Sequence, residues 1–376
     1  MRLALVSLLI VLTGSAAWDR GTAQSVTLLK TPEGGIQPHA AVDGRGTLHI
    51  VYFKGDPAGG DLYYVRRRAG DAAFSSPIRV NSKPGTAIAI GSVRGGHLAV
   101  GRDGWIHIAW DASGPIEEGG VKYSPIYYTR LARSARLFEP QRAIGRTVNL
   151  DGGSLTADAA GHVHLVWHAR GVKEGEANRA VYVASSDDDG AQFQVKTLTD
   201  ELGACGCCGV TALADREGRL NVLYRAATDT IHRDATWVIA HGNSHRSERL
   251  GPWEFNACPM TTFALAQAPD GLVGAWQTEQ QIFVATLDPA HATHSKGQSL
   301  GGSGTRAHPS IAVNRNGERL IAWTDGTGWA RGGTVSWELQ SAAGAREDGA
   351  EHAAPVPVWG LVSAVARPDG SFIIVY

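Results

Sequence analysis

One pattern recurs seven times along this 376-residue chain, and it limits the available folds more than any other feature. The copies are HAAVDGRGTLHIVY (39–52), HLAVGRDGWIHIAW (97–110), SLTADAAGHVHLVW (154–167), TALADREGRLNVLY (211–224), ALAQAPDGLVGAW (264–276), SIAVNRNGERLIAW (310–323) and SAVARPDGSFIIVY (363–376). Each is an apolar run, a turn, and a second run closing on Trp or Tyr. In six copies the closing aromatic stands six residues after a glycine (Gly46, Gly104, Gly161, Gly218, Gly317, Gly370); the copy at Gly271 is one residue shorter. Glycine accepts positive φ in a turn, and Asp43, Asp158, Asp215 and Asn314, each three residues earlier, can hydrogen-bond the turn backbone. Leu48/Ile50/Tyr52 and Ile106/Ile108/Trp110 alternate with other residues, the period of a strand with two distinct faces. Each copy is a β-hairpin.

Between the hairpins lie further strand candidates: LYYVRR then SPIRVN, IYYTRL then LFEPQRAI, AVYVASS then FQVKTL, QIFVATL, and TVSWEL. That makes about four strands per unit, with closing aromatics 47 to 58 residues apart. Such repeats predict an all-β fold, a β-propeller of four-stranded blades around a channel, rather than a sandwich or solenoid. The 47 glycines and 16 prolines suit many short strands joined by turns. Seven copies predict seven blades, with a six-bladed ring as the alternative. QSVTLLK near the start resembles a fourth strand and is expected to close the ring on the last blade, leaving one strand of that blade unaccounted for.

The opening MRLALVSLLIVLTGSAAWDR has a basic start, a short apolar run and small residues suited to a signal peptidase. It predicts a signal peptide over 1–23, cleaved after Ala17 or Ala23, and a single domain over 24–376. The protein is expected to be secreted or periplasmic, without membrane insertion, in a compartment where disulfides persist. Lys plus Arg (35) nearly balance Asp plus Glu (36), so no charge excess draws the chain to nucleic acid.

After the third hairpin, ASSDDDGAQF carries S-x-D-x-G-x-x-F at Ser186, Asp188, Gly190 and Phe193. This resembles the Asp-box of sialidases and related propellers. Together with ACGCCGVTALADREGRLNVLYR, HRDATWVIAH and WEFNACPMTTFALA, it makes the chain from about residue 36 onward similar to the secreted bacterial sialidase-like (BNR-repeat) propellers. The resemblance implies a propeller fold. It also implies that the box is structural, because in that family such boxes lie on the face opposite the active site.

In a propeller of this kind the loop entering each first strand and the loop leaving each second strand open on one face, at the channel mouth. Arg94, Asp151, Arg306, His308 and Trp359 precede hairpins; Asp111, Glu117, Glu118, His168, Arg170, Arg225 and Asp325 follow second strands. Arg94, Asp151, His168, Arg225, Arg306 and His308 are therefore the candidate ligand-binding set, for a glycan or an acidic small molecule. A sialidase needs arginines gripping a carboxylate, a proton donor and a tyrosine–glutamate nucleophile. Arg94, Arg225 and Arg306, with Asp151 as acid, are the candidates for that chemistry. The Arg-Ile-Pro motif of sialidases is missing, and no tyrosine–glutamate pair can be chosen. A binding propeller is the leading reading, and an exo-α-sialidase the alternative.

Four cysteines fall in two segments. Cys205 and Cys258 each precede the turn glycine of their unit by thirteen residues, and Cys207 and Met260 by eleven. The sulfurs of Cys205, Cys207, Cys208, Cys258 and Met260 are thus expected to be neighbours on adjacent blades. Three roles remain open: a disulfide between Cys258 and one of the triplet, a soft-metal (Cu or Zn) site joined by His39, His97 or His308, or a reactive thiol pair near arginine. His49, His107 and His164 are expected to pack between sheets, the closing aromatics to be core, RRR at 66–68 to be a solvated strand end, and AREDGAEH near 345 to be an exposed loop.

Overall fold

The structure, a computed structural model, describes residues 25–91, 94–147, 152–170, 173–229 and 231–376. The signal-peptide region and Asp151 lie outside the described residues.

Seven sheets stand around a central channel, one per hairpin. From the axis outward, blade 1 is Ile36–Val42, Leu48–Lys54, Asp61–Arg67 and Ile78–Arg79. Blade 2 is Gly96–Val100, Ile106–Asp111, Val121–Leu131 and Arg142–Thr147, with Ile116–Glu118 folded onto the third strand. Blade 3 is Gly153–Ala157, Val163–Ala169, Ala180–Ser186 and Gln194–Thr197, and blade 4 is Thr211–Ala214, Leu220–Arg225, Ala235–His241 and Ser244–Gly251. Blade 5 has Phe263–Ala268, Gly271–Thr278 and Gln281–Asp288, its outer edge broken into Thr293–His294 and Gln298–Ser299. Blade 6 has Arg306–Val313, Arg319–Asp325, Gly333–Gln340 and Arg346–Val356. Blade 7 joins Ser363–Ala366 and Phe372–Val375 to Val26–Leu29 from the other end of the chain.

The turn chemistry is as the sequence suggests. Asp43 Oδ1 accepts from the backbone of Arg45 and Thr47 (2.9 and 2.8 Å), Asp158 from Ala160 and His162, Asp215 from Glu217 and Arg219, and Asn314 from Asn316 and Glu318. The glycines that follow have φ of +76° (Gly46) and +95° (Gly161). The closing aromatics are core, all buried but the half-buried Tyr376. Four pack on the aromatic directly opposite in the third strand: Tyr52 on Tyr63, Trp167 on Tyr182 and Trp276 on Phe283 are stacked, and Trp110 is tilted against Tyr127. Cores form between blades, as where Val51, Leu62 and Tyr64 of blade 1 meet Leu98, Ile108 and Trp110 of blade 2.

Two expectations are corrected in detail. AREDGAEH lies not in a loop but in the outermost strand of blade 6; an edge strand carries charge on its open side, so composition alone disguises it. His49, His107 and His164 also bond within their own blades, to Tyr64 (2.7 Å), Tyr128 (2.7 Å) and Ser185 (2.9 Å) of the third strand. The ring closes through Val26–Leu29, but that strand lies directly against Phe372–Val375 and parallel to it. Second and fourth strands of an antiparallel blade run the same way, so an outer strand seated beside the second pairs in parallel.

Candidate functional site

In every blade the second strand returns to the face where the first began, and that face carries the mouth. There the channel widens into a cavity of about 280 Å³ lined by the starts of the first strands, including Gln37, His39, Arg94, His97, Ser154, Thr211 and His308. A ring of inter-blade hydrogen bonds frames it. Ser363 Oγ accepts from Ala40 N (3.0 Å), His39 Nδ1 from Leu98 N (3.2 Å), Ser154 Oγ from Ala212 N (2.9 Å) and Ser310 Oγ from Ala364 N (2.8 Å). His39 thus takes a place that serine fills elsewhere, and because its Nδ1 accepts, its proton sits on Nε2.

Blades 1 and 6 carry a bulge at the mouth, between Ile36 and His39 and between Ala307 and Ser310. Within it Gln37 (φ +51°) and His308 (φ +54°) take left-handed backbone just before a proline, a strained choice costing on the order of 1–3 kcal/mol each. Bulges re-aim side chains beside sites, and here they deliver an amide and an imidazole to the cavity lining. Gln37 is held by its Nε2, which donates to Ala89 O (2.8 Å), while Gln37 Oε1, His97 Nε2 and His308 Nδ1 have no hydrogen-bond partner among the described residues. Burial holds all three imidazoles neutral. It brings His39 and His308 down to about 4, and His97, also beside His39, to about 3. Among the described residues of this lining Arg94 supplies the guanidinium, beside neutral donors and acceptors.

The other arginines do not join it. Arg225, on blade 4, is 1% exposed. Its Nη1 donates to Arg233 O (2.7 Å) and Thr278 Oγ1, its Nη2 to Gln277 O and its Nε to Thr261 Oγ1 (3.2 Å), and its plane lies 5.1 Å from the rings of both Trp253 and Phe263. Arg306 is also buried, paired with Glu351 (2.9 Å) and stacked 4.6 Å from Trp323. Neither lines the cavity. His168 is buried in blade 3, its Nε2 donating to Cys208 O (2.9 Å), and burial lowers it to about 4.

The sulfurs do gather. Cys207 is joined to Cys258 in a disulfide that ties blade 4 to blade 5, and Cys205 and Cys208 are free and fully buried. Cys205 Sγ stands 3.0 Å from Cys208 Sγ and 3.4 Å from Cys207 Sγ. The triplet sulfurs lie within 4.8 Å of one another, close enough for one soft cation to be shared, but Cys207 commits its sulfur to Cys258. Met260 sits in the same loop with φ +48°.

The S-x-D-x-G-x-x-F segment forms a turn on the far face. Ser186 Oγ donates to Asp188 Oδ1 (2.7 Å) and accepts from Gly190 N (2.9 Å), while Asp188 Oδ1 also accepts from Gln192 N (2.9 Å). A Cβ on Gly190 would collide with the Tyr128 hydroxyl of blade 2, and Phe193 packs edge-on against that ring. Arg142 donates to Gly190 O and Ala191 O, and Arg102 pairs with Asp189, so the turn staples blade 2 to blade 3.

Sequence reasoning missed Trp329. It lies between the second and third strands of blade 6, on the mouth face, with 58% of its surface exposed. Its signal was available: an indole in a glycine-rich loop, GTGWARGG, outside any strand pattern.

No family model matches this chain, and no curated protein does. Solved structures match its fold. An α-L-arabinofuranosidase of Fusarium graminearum, solved with arabinobiose, aligns at TM-score 0.55 and 11% identity, covering 85% of this chain and 98% of that one. The NanB sialidase of Streptococcus pneumoniae aligns at 0.51 and 9%, over 77% of this chain and 64% of that one. A protein of unknown function from Dyadobacter fermentans aligns at 0.51 and 13%, over 87% and 96%.

Proposed function

We propose that this is an exported ligand-binding propeller whose site is the channel mouth and whose ligand is a glycan or an acidic sugar. The observation that carries the reading is the cavity lining itself: Gln37 Oε1, His97 Nε2 and His308 Nδ1 stand unpartnered among the described residues around a concave, 280 Å³ space with Arg94 at its wall. Buried polar atoms are costly without partners, and sugar hydroxyls supply both donors and acceptors. Arg94 suits a carboxylate. Trp329, exposed on the same face, offers a flat apolar surface to a sugar ring. That a sialidase and an arabinofuranosidase share the fold is in keeping with this reading. Binding is favoured over sialoside hydrolysis because Arg225 and Arg306 spend their guanidinium groups inside the protein.

Titration calorimetry with 3′-sialyllactose, galacturonic acid and lactose tests it. Saturable one-to-one binding of an acidic or neutral sugar is expected, with the acidic arm weakened at least tenfold in Arg94→Ala. Heat from none of the three, or acidic binding indifferent to Arg94→Ala, would sink the reading. A fluorogenic sialoside assay in parallel is expected to show no turnover.

A further inference from the structure

The cysteine cluster has no part in the mouth, and its arrangement is more specific than a staple requires. The four cysteines run from buried to exposed through successive sulfur contacts: Cys208 and Cys205, both fully buried, then half-buried Cys207, then exposed Cys258. Successive sulfurs are 3.0 Å apart, 3.4 Å apart, and bonded. A dithiol of the spacing C-x-x-C thus touches a disulfide whose far cysteine, Cys258, is exposed.

The surroundings favour a thiolate at the inner end. Arg225 is a buried cation, and no carboxylate of the described residues forms an ion pair with it. A buried charge without a counter-charge is expensive, and the group placed to supply one is Cys208, to which Thr261 Oγ1 also donates (3.4 Å). Burial alone would push the Cys208 thiol up, but the hydrogen bond from Cys205, the Arg225 charge and Thr261 outweigh it and bring it below the ordinary thiol value. Cys205 is pushed the other way, first by its hydrogen bond to Cys208 and then by burial, so it keeps the shared proton. Arg233, held by Glu176 (2.8 Å), adds positive charge beside both sulfurs.

We propose that Cys205 and Cys208 store two electrons that pass through the Cys207–Cys258 disulfide to a disulfide substrate in solution. Cys205 attacks Cys207 as its proton moves to Cys208; the Cys205–Cys207 bond forms, the Cys207–Cys258 bond breaks, and Cys258 leaves as a thiolate at the surface. Cys208 attacks Cys205 as its proton passes to the departing Cys207, which leaves as a thiol, so Cys258 remains the thiolate at the surface. The dithiol has become a disulfide and the surface disulfide a dithiol, with atoms, charge and electrons conserved. The Cys258 thiolate then attacks a substrate disulfide, releasing one thiol. Cys207 resolves the mixed disulfide, releasing the second thiol and restoring Cys207–Cys258. An external dithiol recharges the store by the reverse route. Exchange of this kind follows thiolate character and access, which this series divides between its two ends.

The test uses dithionitrobenzoate as the substrate disulfide and the native, unreduced full-length protein. Two equivalents of thionitrobenzoate are expected per chain, and peptide mapping afterwards should find Cys205 bonded to Cys208 and Cys207 to Cys258. In Cys207→Ser/Cys258→Ser the dithiol remains but its outlet is gone, and release should slow at least a hundredfold, with near-ultraviolet circular dichroism reporting the fold. Cys205→Ser, which keeps the surface disulfide, should release none. Release at the wild-type rate from the double variant would show direct access and overturn the relay. So would a wild-type protein that reacts only when denatured, or one purified with zinc or copper bound through these thiols.

Discussion

Two polar clusters occupy the same face of the propeller, and they are finished in opposite ways. Around Arg225 the guanidinium donors are taken by backbone and hydroxyl oxygens, two aromatic rings cover its faces, and the adjoining sulfurs are sealed. Around Arg94, at the channel, Gln37 Oε1, His97 Nε2 and His308 Nδ1 have no hydrogen-bond partner among the described residues and line a concave cavity. Two arginines at the mouth-side ends of their blades thus serve in one case as an internal strut and in the other at a receiving surface. An arginine at a propeller mouth is identified as a ligand group by what its neighbours leave unsatisfied, not by its place in the repeat.

The contrast breaks most sharply with one substitution. Arg225→Ala should cost about 3–5 kcal/mol, because Gln277 O and Arg233 O lose their donor and the Cys208 thiolate its counter-charge. An unchanged urea midpoint in Arg225→Ala would erase its role as an internal strut.

A second effect is acid lability. His39, His97, His107, His168 and His308 are each held by burial well below the unfolded value of about 6.5, four at about 4 and His97 at about 3. The unfolded chain therefore binds more protons than the folded one. The stability from these groups is whole above pH 6.5 and is lost as pH falls from there toward 4. Each should cost on the order of 2 kcal/mol between pH 7 and pH 4.5, read as a falling urea midpoint; a flat profile would mean the imidazoles are already hydrated.

Smaller still is the exchange of His39. His39→Ser keeps an acceptor for Leu98 N, as Ser154 and Ser310 do for their neighbours, and should cost less than about 1 kcal/mol, whereas His39→Ala should cost about 1–3 kcal/mol. Asp158→Ala, which frees two turn amides on the far face, should cost about 1 kcal/mol by thermal unfolding and leave the mouth untouched.

The fold was legible because it is repeated. Seven hairpins with a fixed turn chemistry leave few ways to bury their faces, and the closing aromatics marked the core. The cysteine neighbourhood was legible for the same reason, since equal offsets from Gly218 and Gly271 put sulfurs on adjacent blades. The inter-blade ring was also in view: the aligned repeats begin with His39, His97, Ser154, Thr211, Ala264, Ser310 and Ser363, hydrogen-bonding residues in six of seven. Nothing in a single sequence says, however, that His39 replaces serine as an acceptor. The fate of Arg225 was hidden because its partners, Thr261, Gln277 and Thr278, come from the next blade. The strand at Arg346–Val356 was hidden because solvent, not core, chose its composition.

The account turns on the mouth being lined by neutral imidazoles that await a partner. Nitrogen-15 spectra of the histidine rings at pH 6, with and without saturating sialyllactose, address that directly. His39, His97 and His308 should be neutral without the sugar, and the signals of His97 Nε2 and His308 Nδ1 should move when it is added. Charged rings at that pH, or signals that stay fixed at saturation, would contradict it.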